Sequence, residues 1–505
     1  SYLDEIPSHI KDKDIKEAFI ENLKDINIAS QKGLIEGFDH SVGGSTVLMP
    51  LGGKYKLTPA EGMVAKIPVL NGNTNTCSLM TYGFEPKLSK WSPFHGGYYA
   101  VIESIGKIVA MGGSYKKIRL TFQEYFERLG QDESKWGKPF AALLGAFLVQ
   151  KNLDIPSIGG KDSMSGSFED IHVPPTLVSF AVTTAKVENI ISPEFKKPNS
   201  TVALVKLDID KKGMVDFDQL KANYSLIKEL VDEGKIISAT SVKYGGIARA
   251  IGEMALGNKI GFKFKEIDKE DLFRPLPGSI LVEFNGQMPR IVKERDLTSV
   301  IELGTTMEKE AIEIAGGSIE LDALIKAYEK PLDEVFPVYK GKDNFENIDY
   351  TKGSKITRKV KIAKPKVLIP IFTGSHGEYT MEECFKEAGA NVETLVFKTL
   401  SLNDLETSYR ELAKKIKECQ ILGLPNGSPL GDEPEAGGKL LRLIFNNPYV
   451  REALDNHLNN EDGLILGIGA GFTALIKLGL ISPSTYITAN ESGEFISTMV
   501  DVRVS

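Results

Sequence analysis

The chain has 505 residues, of which 42% are hydrophobic, 26% charged and 8% aromatic. That is a globular composition, with enough apolar side chains for several cores and no excess of the residues that mark disorder. A net charge of −7 excludes a global field that would draw nucleic acid or an anionic membrane, so any phosphate must be held locally.

No apolar run reaches the roughly 18 residues that span a bilayer, and charged residues begin at Asp4. A soluble, cytoplasmic protein of three or four domains is expected. The opening "SYLDEIPSHI" lacks Met and leads directly into an amphipathic helix, as in a fragment. Cys77, Cys384 and Cys419 are too few and too scattered for a disulfide framework or a zinc site.

Up to residue 190, strand-like runs ("GMVAKIPVL", "TLVSFAVTTAKV") alternate with glycine-rich turns and two helical stretches, "GGYYAVIESIGKIVAMGG" and "KPFAALLGAFLVQKNL". This mixture predicts an α+β domain over 1–190. "SPEFKKPNS" reads as a linker. A second α+β domain follows over 200–330, with strand "TVALVKLDI", helix "FDQLKANYSLIKELVDEGK", the glycine pair Gly245 and Gly246, and helix "IARAIGEMALG".

Residues 331–365 are polar and aperiodic, as in a connector. From 366 to 505 strands alternate with helices: "KVLIPIF", "YTMEECFKEAG", "NVETLVF", "ETSYRELAKKIKE", "QILGLP", a helical stretch over 437–458, then "GLILGIG" and its helix. That spacing predicts a parallel, doubly wound α/β sheet with its functional edge where the strands end.

Four stretches carry chemistry. In "IPSIGGKDSMSG", Gly159 and Gly160 free backbone N–H groups for an anion, Lys161 adds a mobile charge, and Asp162 and Ser163 can orient an oxygen. The same residues also suit a surface turn with a helix cap. "FDHSVGGSTV" places Asp39 and His40 in a turn, where a histidine is either structural or catalytic. Glu103 and Lys107 stand four apart on one helix face, within reach of each other in apolar surroundings.

The fourth, "LGIGAGF", reads either as a dinucleotide fingerprint or as a nucleophile elbow on a central strand. The late position in the domain favours the elbow, yet Gly469 stands at its centre. A dinucleotide-dependent oxidoreductase is the alternative that the fingerprint leaves open.

Taken in order, "FDHSVGGSTV", "LTPAEGMVAK", "IGGKDSMSG", "VPPTLVSFAV", "KYGGIARAIGEMALG" and the final α/β pattern resemble the back half of phosphoribosylformylglycinamidine synthase in its large single-chain form. The resemblance implies an aminoimidazole ribonucleotide synthetase-like half-module, with N-type and C-type domains, followed by a class I glutamine amidotransferase-like domain. It implies a ligase that makes formylglycinamidine ribonucleotide from formylglycinamide ribonucleotide, ATP and glutamine in purine biosynthesis. A non-catalytic scaffold or regulatory paralogue would keep the same fold.

By this resemblance Gly469 occupies the place of the glutaminase cysteine, Ala470 that of an asparagine and Thr473 that of a glutamine, so the thioester route is absent. "GSHGEY" and "LPNGSPLGDEPEA" depart from the family as well, and the family's catalytic histidine and glutamate would lie beyond "ISTMVDVRVS".

The resemblance also implies a magnesium–nucleotide site, which maps onto Glu61, Glu103, Lys107 and Tyr244. Lys107 there replaces an amide ligand and Tyr244 an aspartate, so a fixed ammonium in place of the metal is expected. ADP or ATP would then be held without magnesium by Lys161, Gly159 and Gly160, or else Glu61, Glu103 and Lys107 form a polar cluster that stiffens the domain. The implied partners are a purine-pathway nucleotide and the front half of the synthetase, in the same chain or another, or a second copy.

Overall fold

The structure, a computed structural model, describes residues 2–37, 45–69, 72–293, 295–338, 362–428, 437–459, 462–481, 484–491, 493 and 496. Asp39, His40 and most of the 331–365 connector lie outside the described residues, as do most of "LPNGSPLGDEPEA" and of "ISTMVDVRVS". Described residues to 338 form one compact unit and those from 362 to 493 another.

The first unit holds two large sheets. After a short helix, α1 (Ile15–Leu23), come β1 (Thr46–Leu48), β2 (Met63–Lys66) and β3 (Thr76–Gly83), then α2 (Pro93–Ala110). These are followed by β4 (Arg119–Tyr125), α3 (Glu133–Leu153), β5 (Ser157–Lys161) and β6 (Thr176–Lys186). The six strands run in the order β1-β2-β3-β6-β4-β5, antiparallel except for the parallel pair β4–β5.

Burial along β3, β4 and β6 alternates with period two, as a sheet covered on one face requires. The inner face carries Leu79, Leu120, Phe122, Leu177 and Ala181; the outer face leaves Met63, Met80, Tyr82, Tyr125 and Phe180 exposed.

The central helix α2 explains why the inner face can be so apolar. Ser92 caps it by accepting the His95 N–H through its hydroxyl at 3.3 Å, and Pro93 takes the first turn, where no N–H is needed. Tyr98, Val101, Ile102, Ile105, Ile108 and Val109 are all fully buried and share one face, which is a continuous apolar stripe. Each such side chain contributes roughly 1.5–3 kcal/mol. It packs on β3 and β6, on α3, and on the strand Ile236–Ser241 of the second sheet.

The α2–α3 contact depends on two glycines. A Cβ on Gly97 would meet the Ala142 carbonyl oxygen at 2.1 Å, and one on Gly145 the Phe94 carbonyl oxygen at 2.0 Å.

The second sheet is built from β7 (Thr201–Lys206), β8 (Ile236–Ser241), β9 (Gly261–Phe264), β10 (Ile280–Phe284), β11 (Ser299–Met307), β12 (Ala311–Ile314) and β13 (Gly317–Glu320). Their order is β8-β10-β7-β11-β9-β12-β13. Helix α4 (Phe217–Asp232) lies between β7 and β8, α5 (Gly246–Leu256) between β8 and β9, and α6 (Leu321–Glu329) follows β13.

The stretch 192–200, expected as a linker, is tied into this fold. Phe195 is fully buried, and the buried Glu283 carboxylate accepts the Lys196 and Lys197 N–H groups at 2.9 and 3.3 Å. Composition alone does not show that a distant carboxylate anchors a Pro- and Lys-rich segment.

The second unit is the parallel α/β domain that the strand–helix alternation predicts. It comprises β14 (Lys366–Ile371), α7 (Glu378–Glu387), β15 (Asn391–Val396), α8 (Leu402–Glu418), β16 (Ile421–Leu424), α9 (Gly437–Phe445), α10 (Pro448–Asn459), β17 (Leu464–Gly467) and α11 (Ala470–Lys477). The order is β15-β14-β16-β17, every pair parallel.

Two expectations are corrected. The helical stretch 437–458 is two helices, because Pro448 has no N–H to continue the first and instead opens the second. Strand β17, expected in a central position, pairs only with β16 among the described residues.

Gly145→Val places a branched side chain against the Phe94 carbonyl. It is expected to cost about 1–3 kcal/mol or more by overpacking, read as a lower midpoint in urea with the m-value unchanged.

Candidate functional site

A cavity of about 900 Å³ lies in the first unit, lined by residues of both sheet layers, among them Glu61, Tyr82, Glu103, Lys107, Lys243 and Tyr244. Glu61 sits just before β2, in the turn "PAEGM", and its side chain is 1% exposed. Its carboxylate is met from the far end of β8: Thr240 and Ser241 each donate a hydroxyl at 2.6 Å, and Lys243 Nζ lies at 2.9 Å.

One turn of α2 brings Lys107 Nζ to 2.6 Å from Glu103. That ammonium also donates to the Tyr82 carbonyl at 2.8 Å and lies 4.5 Å from the centre of the Tyr82 ring. This i,i+4 pair is largely shielded from solvent, with Lys107 only 5% exposed.

The protonation states follow from these contacts. Burial by itself would raise the Glu61 pKa, but Lys243, then Lys107, then the two hydroxyls outweigh it and hold it at about 2. Burial would lower that of Lys107, yet Glu103 and Glu61 keep it above the ordinary lysine value. Glu85, also in the lining, is pushed up by its burial, with the Glu103 charge adding to the effect.

Tyr244, expected in an aspartate's place, has an aspartate beside it. Its hydroxyl donates to Asp25 at 2.7 Å and accepts from Lys87 Nζ at 2.7 Å. Burial acts against ionisation of Asp25, but Asn27, Tyr244 and Lys87 hold its pKa below the usual value. Arg249 Nε pairs with Glu253 at 2.9 Å on α5, and its guanidinium donates to the Tyr244 carbonyl at 3.1 Å.

Sequence reasoning missed Asp25, Lys87, Thr240, Ser241, Lys243 and Arg249. The available signal was "SATSVKYGG", where two hydroxyls and a lysine crowd a strand end just before a glycine-started helix.

Magnesium does not fit this constellation. It requires near-octahedral oxygen ligation, but the oxygens of Glu61 are taken by Lys243, Ser241 and Thr240, and Glu103 holds Lys107. Among the described residues no group of three or more His, Cys, Asp or Glu side chains could hold a metal ion. The lining acids Glu61, Glu85, Glu103 and Glu253 also outnumber Lys107, Lys243 and Arg249, so the cavity offers no surplus positive charge to a polyphosphate.

Gly159, Gly160, Lys161, Asp162 and Ser163 are not among the residues lining this cavity. Gly159, Gly160 and Lys161 lie on the exposed edge strand β5, where the backbone is extended alongside β4. The Ser163 N–H is bonded to the Glu124 carbonyl at 3.1 Å, and burial, with the Asp162 charge adding to it, pushes the Glu124 carboxyl up to about 7.

In the second unit the turn after β17 has the backbone of an elbow. Gly469 has φ 54° and ψ −116°, and α11 starts at the next residue. The elbow persists without a nucleophile.

An α+β unit with two large sheets is followed by a parallel α/β domain whose elbow carries no nucleophile. Residues 364–505 match the family of CobB/CobQ-like glutamine amidotransferase domains. A phosphoribosylformylglycinamidine synthase subunit PurL from Methanobrevibacter smithii is 26% identical over 51% of this chain and 36% of its own length. One from Thermus thermophilus is 23% identical over 66% of this chain and 47% of its own length.

The solved structure of PurLQS from Thermotoga maritima superposes with a TM-score of 0.42 at 21% identity, over 55% of this chain and 41% of that one. The resemblance to phosphoribosylformylglycinamidine synthase is borne out by these relatives. The chain spans less than half the length of either curated relative. Among the described residues no helix is long and apolar enough to cross a membrane.

Lys243→Met leaves the buried Glu61 without its first cation, at an expected cost of about 3–5 kcal/mol at neutral pH. In the parent the Glu61 pKa is depressed, so its contribution is present above the unfolded value near 4.5 and is lost only as pH falls toward 2. In the variant the largest of the interactions that depress that pKa is gone, so it rises. The stability gap measured by urea unfolding is therefore widest near pH 7 and narrows toward pH 4.

Proposed function

We propose that this chain is one half of an ATP-dependent ligase that converts formylglycinamide ribonucleotide to formylglycinamidine ribonucleotide in purine biosynthesis. It works with a complementary synthetase half, and ammonia reaches it from elsewhere than its own amidotransferase-like domain. The observation that carries this reading is the pairing of a synthetase-type unit, similar to PurL subunits, with an elbow that holds Gly469 where a thiolate would stand.

A glycine can form no thioester, so glutamine is not opened by nucleophilic catalysis there. The cavity is large enough for a nucleotide-sized substrate, consistent with a binding role for the half-module. ATP would be the activating nucleotide of the assembled enzyme.

The need for a partner follows from the outer face of the first sheet. Met63, Met80, Tyr82, Tyr125 and Phe180 are 40–57% exposed, a grouping of large apolar side chains that soluble proteins usually cover. The complementary half, or a second copy of the chain, is the occupant this reading assigns.

The test is a reconstitution. The chain is mixed with the portion of the Methanobrevibacter smithii relative that it does not cover, and ADP release is followed with formylglycinamide ribonucleotide, ATP and either ammonium chloride or glutamine. Turnover with ammonium and none above background with glutamine is expected. Glutamate production by the chain, or silence of the assembled pair with ammonium, would contradict the proposal.

A further inference from the structure

The vacated elbow is filled. At the end of β16 the chain continues through Pro425 to Asn426, and this segment is fastened to the neighbouring turn by backbone bonds. The Asn426 carbonyl accepts the His376 N–H at 3.0 Å, the Gly374 carbonyl accepts the Ser428 N–H at 3.0 Å, and Ser375 and Gly427 form a bridge. From that base the Asn426 side chain reaches the elbow. Its Oδ1 accepts the Ala470 N–H at 3.2 Å.

A Cβ built on Gly469 would lie 1.9 Å from Asn426 Oδ1 and 2.5 Å from its Cγ. Real Cβ atoms do not approach oxygen so closely. The carboxamide therefore stands in the volume that a residue-469 side chain would need. It also takes the backbone donor of the residue after the bend, which in a nucleophile elbow forms part of the oxyanion hole.

We propose that Asn426 is an internal plug of the amidotransferase-like elbow. Its carboxamide is a self-supplied ligand that closes the site to any acyl or amide group, so that the loss of glutaminase chemistry is written into two places in the chain rather than one. This rests on reading the domain as glutaminase-like. It goes further by naming the group that holds the site shut and the donor that it occupies. Thr473 holds the bend from the other side, its N–H and hydroxyl donating to the Gly469 carbonyl at 3.0 and 3.3 Å, so the bend itself is retained. With the plug removed, the retained bend would present a residue-469 thiol at the N-terminus of α11, where a thiolate is favoured.

The experiment compares Gly469→Cys, Asn426→Gly and the double variant in the full chain. Native protein is treated with iodoacetamide at pH 7 and alkylation of each cysteine is followed by mass spectrometry. The exposed Cys384 and the buried Cys77 and Cys419 serve as internal standards. Cys at 469 is expected to react at least tenfold faster in the double variant than in the single one, reaching the rate of Cys384. Equal rates in the two, or slow reaction in both, would overturn the plug.

Should Gly469→Cys alone fail to fold, Asn426→Ala in the parent gives the second reading. Hydrogen exchange at the Ala470 amide is expected to accelerate at least tenfold with thermal stability retained, and an unchanged rate would count against the proposal. Neither measurement involves ATP or the ribonucleotide. Failure of the ligase reading in the reconstitution would leave these outcomes unaffected.

Discussion

A carboxylate that has lost its water must find its charge partners inside the protein, and Glu61 is such a group. It stands just before β2 in the first sheet layer, and the partners seen for it on the second come from the end of β8 and from Lys243, two residues beyond. Removing both sheets' polar ends from solvent without this pairing would cost several kcal/mol per ion. The same strand end runs on through Lys243 and Tyr244, both in the cavity lining, to the glycine pair that starts α5. Helix α2 completes the arrangement by presenting Lys107 and Glu103 from an otherwise apolar surface, which its packing on two sheets and α3 makes rigid.

The cavity and the elbow show the same physical pattern. In each, a place that a ligand or a reacting group would occupy holds a side chain of the protein itself: ammonium groups against Glu61 and Glu103, a carboxamide against Gly469. An internal partner needs no ligand to be satisfied, so the fold is stable in its absence. The consequence for chemistry is a cavity whose charges are paired with one another and offer no surplus positive charge to a phosphate.

Much of this was legible in the sequence. Period-two burial in "TLVSFAVTTAKV", the apolar helix around Glu103 and Lys107, and the strand–helix alternation after Lys366 each correspond to one element, because local pattern alone determines them. The i,i+4 spacing placed Glu103 against Lys107, and the glycine bend placed Gly469 at an elbow.

What could not be read depends on contacts far apart in the chain. Asp25 reaches Tyr244, Thr240 reaches Glu61 and Glu283 anchors the 192–200 segment, and none of these pairs leaves a local signature. Gly159 to Ser163 were grouped with Glu61 because their composition suits phosphate, yet composition does not reveal that they pair beside β4 on the sheet edge. Asn426 was overlooked for the same reason: only the folded domain brings it to Gly469.

The central claim is that the carboxylates of the cavity are neutralised by lysines and not by a divalent ion. Manganese scatters anomalously and takes the same oxygen ligation as magnesium, so crystals grown with millimolar manganese and ADP test it directly. The account predicts no anomalous peak within bonding distance of Glu61 or Glu103, with Lys107 and Lys243 still on their carboxylates. A manganese peak bridging Glu61 and Glu103, with either lysine displaced, would contradict it.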